Sequence, residues 1–467
     1  MNATAATAHR RTGRGTELAL LTFAVGLAGL VSVAIEAAQR AGLTLAPVWY
    51  AATLAGMFGI THLAIRRLAP YADPLLLPLV ALLNGLGVAM IHRLDLAKTT
   101  PSRRFNVDFL TGNASLQLAW TAVGLVLLIG LLVVVRDHRS LSRYGYTLGL
   151  LGLALLALPA LLPASLSQVN GARIWIRLAG FSIQPGEFAK IALITFFAAY
   201  LVAKRDVLSL ASRRVVGVDF PRGRDLGPVL VAWIASLLVL VVEKDLGSSL
   251  LFFGIFIVML YIATQRTSWL LIGLALFAGG AYTAWRIFAH VQDRVAIWLH
   301  PFADPNVKGY QIVQSLYGLA TGQLFGTGPG SGRPEIVPFA NSDFIVATIG
   351  EELGLFGLTA VLVIYAIIVS RGLRASLTVR DSFGKLLAAG LAFSLALQVF
   401  VVVGGVSKLI PLTGLTTPFL SYGGSSLVAN YVLVGLLLRI SDAARRPPAS
   451  QQPAPPLGSA PTELVRL

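Results

Sequence analysis

Long apolar runs alternate with short basic or turn-rich stretches along most of this chain. Each run is of a length that spans a bilayer, about twenty residues at the helical rise. They fall near 17–38, 46–66, 73–92, 114–135, 144–167, 187–203, 226–242, 246–264, 268–289, 344–370, 384–407 and 424–441. The pattern predicts an all-α, polytopic bundle of about twelve transmembrane helices. One interval breaks the rhythm, because 289–342 is water-compatible sequence with a Gly-rich turn. It is read as one large loop, about 290–343, and long connections of this kind in membrane proteins commonly carry function.

Composition agrees with a membrane setting. Hydrophobic residues make up 56% of the chain and charged residues 12%, and the mean hydropathy is +0.76. The net charge of +16 does not point to nucleic acid, since Lys and Arg cluster at the ends of apolar runs, where cytoplasmic anchoring accounts for them. Arg66/Arg67, Arg136/Arg139/Arg143, the 204–224 stretch, Arg371/Arg374/Arg380 and Arg439/Arg445/Arg446 fall on the same side as the N-terminus. Both termini are therefore expected in the cytoplasm and the large loop outside it. The connection 94–113, with Lys98, Arg103 and Arg104, is the one dissenting loop. No cysteine is present, which excludes disulfides and thiolate metal sites. The first apolar run is long and follows Arg10, Arg11 and Arg14, so no cleavable signal peptide is read. The expected organisation is a short cytoplasmic segment 1–16, a membrane domain 17–443 and a Pro- and Ala-rich disordered tail 444–467.

Four segments share the assigned outer side. The first, NGARIWIRLAGFSIQPGEFAK, contains Arg173 and leads into a helix near Pro185 on which Glu187 and Lys190, three apart, share a face. They form either a snorkelling pair or a charged mouth for an anionic head group. The second is Glu243-Lys244-Asp245, a polar cap or part of a site. The third, 411–426, PLTGLTTPFLSYGGSS, has too many prolines and glycines for a straight helix, so it is buried in protein or faces a wet cavity. The fourth is the large loop and the start of the next helix, where Asp343, Glu351 and Glu352 enter an apolar run. Carboxylates there require cationic or hydrogen-bonding partners, and Lys190, Lys244 and Arg173 are the candidates.

These segments resemble the SEDS family (shape, elongation, division and sporulation), membrane glycosyltransferases that polymerise the lipid-linked peptidoglycan precursor, lipid II. The resemblance rests on Gly171, Ala172, Arg173, Trp175, Gln184, Pro185, Glu187, Phe188 and Lys190, then on KDLGSS at 244–249. It continues through Asp304, Pro305, Gly309, Tyr310, Gln311, Gln314 and Ser315, through Asp343, Phe344, Gly350, Glu351, Glu352, Leu353 and Gly354, and through PLTG, Pro418, Phe419, Ser421, Tyr422 and Gly423. It covers roughly 144–439, in order. Gly186, Phe339, Asn341 and Val402 stand where the family usually has serine, glutamate, histidine and asparagine. Two spans near the N-terminus exceed the family's usual ten, and the sequence around 409–426 is closer to the elongation-type member.

The resemblance implies an inverting transfer of glycan from a lipid pyrophosphate to a sugar hydroxyl, which needs one base and no carboxylate nucleophile. Asp304 matches the family's proposed catalytic aspartate, although a lone loop aspartate by itself reads as a turn residue. Arg173, Lys190, Lys244, Gln311, Gln314 and Ser315 would bind substrate, while Glu187, Asp245, Asp343, Glu351, Glu352, Ser421 and Tyr422 would supply structural or electrostatic support. The implied partners are lipid II, a class B penicillin-binding transpeptidase, other cell-wall elongation proteins and membrane lipids. No cofactor is specified, and a divalent cation is left open. The rival readings are a lipid II flippase that uses the intramembrane carboxylates and a non-catalytic scaffold for cell-wall synthases. Against transport, no inverted internal repeat is found, and the polar residues gather on one face rather than at mid-membrane.

Overall fold

The computed structural model describes residues 13–39, 44–98, 112–169, 172–178, 181–209, 211–215, 218–221, 231, 234–235 and 245–447. In chain order its longer helices are α1 (Arg14–Ala38), α2 (Ala46–Leu68), α3 (Leu76–Lys98), α4 (Asn113–Val134), α5 (Gly145–Leu161), α6 (Pro185–Ser209), α7 (Leu246–Thr264) and α8 (Ser268–Ile287), with a single turn at Ala164–Ser167 between α5 and α6. Then come two shorter helices, α9 (Ala289–Leu299) and α10 (Tyr310–Gly322), followed by α11 (Ile345–Thr378), α12 (Ser382–Val406) and α13 (Gly424–Arg445). Eleven helices among the described residues are long and apolar enough to cross a membrane. They correspond to eleven of the expected spans; the span expected at 226–242 lies almost wholly outside the described residues, as do the 99–111 connection and the tail from 448.

The large loop contains two helices, α9 and α10. Both are amphipathic, and α10 buries Ile312, Val313, Ser315, Gly318 and Gly322 on one side. Three small antiparallel hairpins also interrupt the helical pattern, pairing Gln168–Val169 with Ala172–Arg173, Ile176–Leu178 with Phe181–Ile183, and Ala211–Val215 with Val218–Pro221.

Packing follows membrane rules, in which close backbone approach replaces a hydrophobic driving force between helices. Gly145, Gly149 and Gly152 line one face of α5, and a Cβ on them would come within 2.6–2.8 Å of Ala199, Phe196 and Leu193 of α6. The other face of α5 turns Leu150, Leu151 and Leu153 outward, as contact with lipid tails requires. The most enclosed helices are α3 and α13, and α8 is peripheral.

Helix α11 is broken at Gly354, whose φ of 68° is open to glycine and strained for other residues. The break frees backbone groups on both sides, and the run 323–328 takes them up. Thr327 and Gly328 donate to the carbonyls of Glu351 and Glu352 at 3.0 Å, while Leu355 and Phe356 donate to those of Gln323 and Leu324 at 2.9 and 3.0 Å. Non-helical backbone at this depth is thus satisfied within the protein. The irregular run between α12 and α13 is handled with side chains: Asn84, Gln117, Gln398 and Tyr365 donate to the carbonyls of Phe419, Ser421, Thr416 and Pro418.

Candidate active site

The four motif segments converge at one end of the bundle. At the start of α6, the Gln184 amide donates to Ser425 Oγ of α13 at 2.9 Å. Lys190, 1% exposed, donates to Glu187 Oε2 at 2.9 Å and to Gln398 Oε1 on α12 at 2.8 Å. Gln398 in turn donates to Thr416 O at 3.0 Å. The Glu187–Lys190 pair therefore ties α6 to α12 and to the irregular run instead of snorkelling. Ser421 Oγ accepts from the Thr417 amide at 2.8 Å and donates to Ser342 O at 2.6 Å, and the Tyr422 amide donates to Asn341 O at 2.7 Å. These bonds fix the large loop against the 411–423 run.

Asp245 caps α7, accepting from the Gly247 amide at 2.9 Å and from Ser248 Oγ at 2.5 Å. Arg294 of α9 donates to Leu412 O at 2.6 Å and interacts electrostatically with both Asp245 and Asp343. Burial pushes the Asp245 carboxyl up and the Arg294 guanidinium down, against their mutual attraction. Burial also pushes Asp343 up, to about 7, while the Ser342 hydroxyl and Arg294 favour its charged form and Asp245 opposes it.

Arg294 lines two adjoining cavities. One, of about 410 Å³, is apolar and is walled by Phe253 of α7, Phe277 of α8, Phe400 of α12 and the 410–413 backbone. The other, of about 180 Å³, presents Trp298, Lys308, Gln311 and Lys408. Asp304 stands beside it, exposed, in a tight turn where its carbonyl accepts from Gly309 at 2.9 Å and its carboxylate faces the Lys308 amide at 3.4 Å. Any Cβ on Gly309 would fall 2.2 Å from Pro301 O, so this turn demands glycine. Lys308 pairs with Asp293 at 2.8 Å. An apolar chamber, a basic pocket and an exposed carboxylate in sequence suit an amphiphile with an anionic head.

Other expected site residues lie elsewhere. Arg173 is exposed on its hairpin, and Lys244 lies outside the described residues. Gln314 is half-buried, and Ser315 is fully buried, donating to Val406 O at 3.2 Å. Of the expected partners of Glu351 and Glu352, Lys244 lies outside the described residues, and the bonds found come from groups other than Lys190 and Arg173. Arg93 of α3 donates to Glu352 Oε1 at 2.9 Å, the Gly330 amide to Glu352 Oε2 at 2.9 Å, and the Arg333 amide to Glu351 Oε1 at 2.6 Å. Lys190 is used by Glu187 and Gln398. Among the described residues no group of three or more His, Asp and Glu is placed to hold a metal ion. Sequence reasoning missed Arg294, Lys408 and Arg93. Arg294 carried a signal, since Val291, Val295 and Trp298 flank it at helical spacing; Arg93 carried another, as a cation at the end of an apolar run.

The fold and site define a polytopic α-helical membrane protein with a polar, cavity-bearing centre at one end of its bundle. The chain belongs to the cell cycle protein family of FtsW, RodA and SpoVE, whose pattern matches residues 74–446, as the SEDS motifs implied. The matched region begins just before α3, so α1 and α2 precede it. The chain is 54% identical over 455 residues to the peptidoglycan glycosyltransferase RodA of Mycobacterium tuberculosis strain H37Rv, covering 97% of this chain and 96% of that one. Its identity to the probable peptidoglycan glycosyltransferase FtsW of Trichlorobacter lovleyi is 34% over 396 residues, 83% of this chain and 97% of that one. A solved structure described as "Structural coordination of polymerization and crosslinking by a peptidoglycan synthase complex" is similar with a TM-score of 0.60 and 25% identity, over 80% of this chain and 99% of that one.

Proposed function

We propose that the protein is an elongation-type peptidoglycan glycosyltransferase that polymerises lipid II at the outer face of the cytoplasmic membrane, with both termini inside. The observation that carries this reading is Arg294, placed where an apolar chamber meets a basic pocket, with Asp304 at the rim. The lipid tail would occupy the chamber and the pyrophosphate would meet Arg294, Lys308 and Lys408. Of the phosphate contacts first given to Arg173, Lys190 and Lys244, Lys190 is committed to Glu187 and Gln398. Asp304 would take the proton of the acceptor hydroxyl as that oxygen bonds to the anomeric carbon and the bond to the pyrophosphate oxygen breaks on the opposite face. Configuration inverts, and the charge that develops on the leaving group is met by the guanidinium.

The elongation assignment is supported by 54% identity to a RodA against 34% to an FtsW. A transpeptidase partner of class B is supported by the polymerising and crosslinking complex that the fold resembles. The outward orientation is supported by the alternation of basic connections. The test is glycan formation by purified protein, supplied with its transpeptidase, from lipid II. Polymer is expected; transport of lipid II without polymer would overturn the enzyme reading in favour of a flippase.

A further inference from the structure

At the other end of the bundle from Asp304 lies a pocket of about 580 Å³. It opens between the 69–75 connection, the last turns of α11, the 379–381 turn and the end of α13. Arg371, Arg374, Arg380 and Arg445 line it, with Asp73 as the one acid among its lining residues. Asp73 is 6% exposed and already shared, lying 3.4 Å from Arg371 Nε and 3.9 Å from Arg445 Nη1 while accepting from the Leu75 amide at 3.0 Å.

The neighbouring acids are occupied as well. Asp442, 1% exposed, accepts from the Tyr71 amide and from Arg446, both at 2.8 Å. Asp381 lies 2.8 Å from His138 Nε2 and 3.4 Å from Arg139 Nε and caps α12 through the Gly384 amide. Among the described residues Arg374 and Arg380 have no ion-pair partner. Four guanidinium groups thus line a concavity whose one carboxylate pairs with two of them, Arg371 and Arg445, and donors are left over. Anchoring by the positive-inside rule needs basic side chains on a connection; it does not need them gathered around a cavity with a single acid.

Arginine presents a planar fork of donors that matches phosphate oxygens. We propose that this pocket is a binding site for a phosphate group, filled in the membrane by the headgroup of an anionic phospholipid. A lipid is favoured over soluble phosphate because Leu373 and Leu377, 39% and 82% exposed, flank Arg374 on α11 and offer an apolar track for acyl chains. Basic pockets between helix ends recognise anionic headgroups in this way. The site is separate from the proposed chemistry, since α11 carries Glu351 and Glu352 near one end and Arg371 and Arg374 near the other.

The test is native mass spectrometry of the delipidated protein titrated with phosphatidylglycerol or with phosphatidylcholine of the same chains, each with and without inorganic phosphate. The variants are the double substitution Arg374→Gln/Arg380→Gln, at exposed positions, and a charge-matched control, Arg66→Gln/Arg67→Gln, on the same end outside the pocket. Phosphatidylglycerol should bind in preference to phosphatidylcholine, roughly 30-fold more weakly in the pocket variant and unchanged in the control. Equal weakening in both variants, or no preference between the lipids, would overturn the site. Displacement of phosphatidylglycerol by millimolar phosphate would keep the anion site but overturn its assignment to lipid.

Discussion

Arg93 of α3 and Glu352 of α11, 259 positions apart, are joined at 2.9 Å with both side chains buried. Arg93 also donates to Gly332 O at 2.7 Å and meets Glu335 at 3.2 Å, while Glu352 accepts from the Gly330 amide. The pair therefore pins the Gly-rich turn, and with it the end of the large loop, to the broken segment of α11. The N-terminal helix adds a further hold, because Gln39 donates to Gly330 O at 2.5 Å.

Breaking this pair from one side is expected to be costly. Arg93→Ala strands a buried carboxylate and should destabilise by about 3–5 kcal/mol, whereas Arg93→Met combined with Glu352→Leu should cost much less, because an apolar replacement removes both desolvation penalties. Thermal unfolding in detergent measures this. Equal losses for the single and double variants would show that a stranded carboxylate is not the source of the cost.

The contrast between what the sequence could and could not reveal follows from range. Apolar length is a local signal, so the described spans emerge from it directly, and Glu187 with Lys190 is readable from an i, i+3 spacing. Gln398 as the second partner of Lys190, 208 positions away, and Arg93 as the partner of Glu352 depend on helix-to-helix packing that no spacing encodes. The helices α9 and α10 escaped for another reason. Segments of 11 and 13 residues with a polar face are too short and too polar to register in a transmembrane window. Arg294 was lost with them.

Arg294 should matter more than Arg173. If it meets the departing pyrophosphate, Arg294→Gln lowers polymerisation by about 10²-fold, and Arg294→Lys recovers part of that because charge survives without the fork. Arg173→Gln, at an exposed hairpin position, should stay within a few-fold of wild type. Rates of glycan formation by purified variants decide it, and the reverse ranking would return the phosphate role to the hairpin.

Asp343 gives a pH dependence with a defined sign. Its carboxyl is pushed up to about 7 from an ordinary 3.8, so the native state holds the proton more tightly than the unfolded chain does. The resulting stability is present below about pH 4 and is lost as pH rises through about 7. Arg294 and Asp245 face the same group, and Asp245, also pushed up, should leave a residual slope. Melting temperatures between pH 5 and pH 8 should fall more steeply for wild type than for Asp343→Asn. Parallel profiles would place the titration elsewhere.

Orientation can be read with single cysteines in a chain that has none. Ser331→Cys and Ser140→Cys are both exposed positions, the first on the large loop and the second on the connection between α4 and α5. An impermeant thiol reagent applied to intact cells should label the first and spare the second. The opposite pattern would invert the proposed topology and put the site on the cytoplasmic face.

Asp304→Asn tests the chemistry most directly. The amide keeps the size of the side chain and can still accept from the Lys308 amide, so the turn closed by Gly309 should survive and expression should be close to wild type. What is lost is proton acceptance at neutral pH, a term worth about 10²–10⁴ in rate. Glycan polymerisation from lipid II should therefore fall by at least about 10²-fold while binding of lipid II is retained, because the apolar chamber and Arg294 are untouched. Loss of binding together with activity would make Asp304 a substrate-positioning group. Near wild-type polymerisation by folded Asp304→Asn protein would remove it as the base and direct attention to Asp343, a site carboxylate that interacts with Arg294.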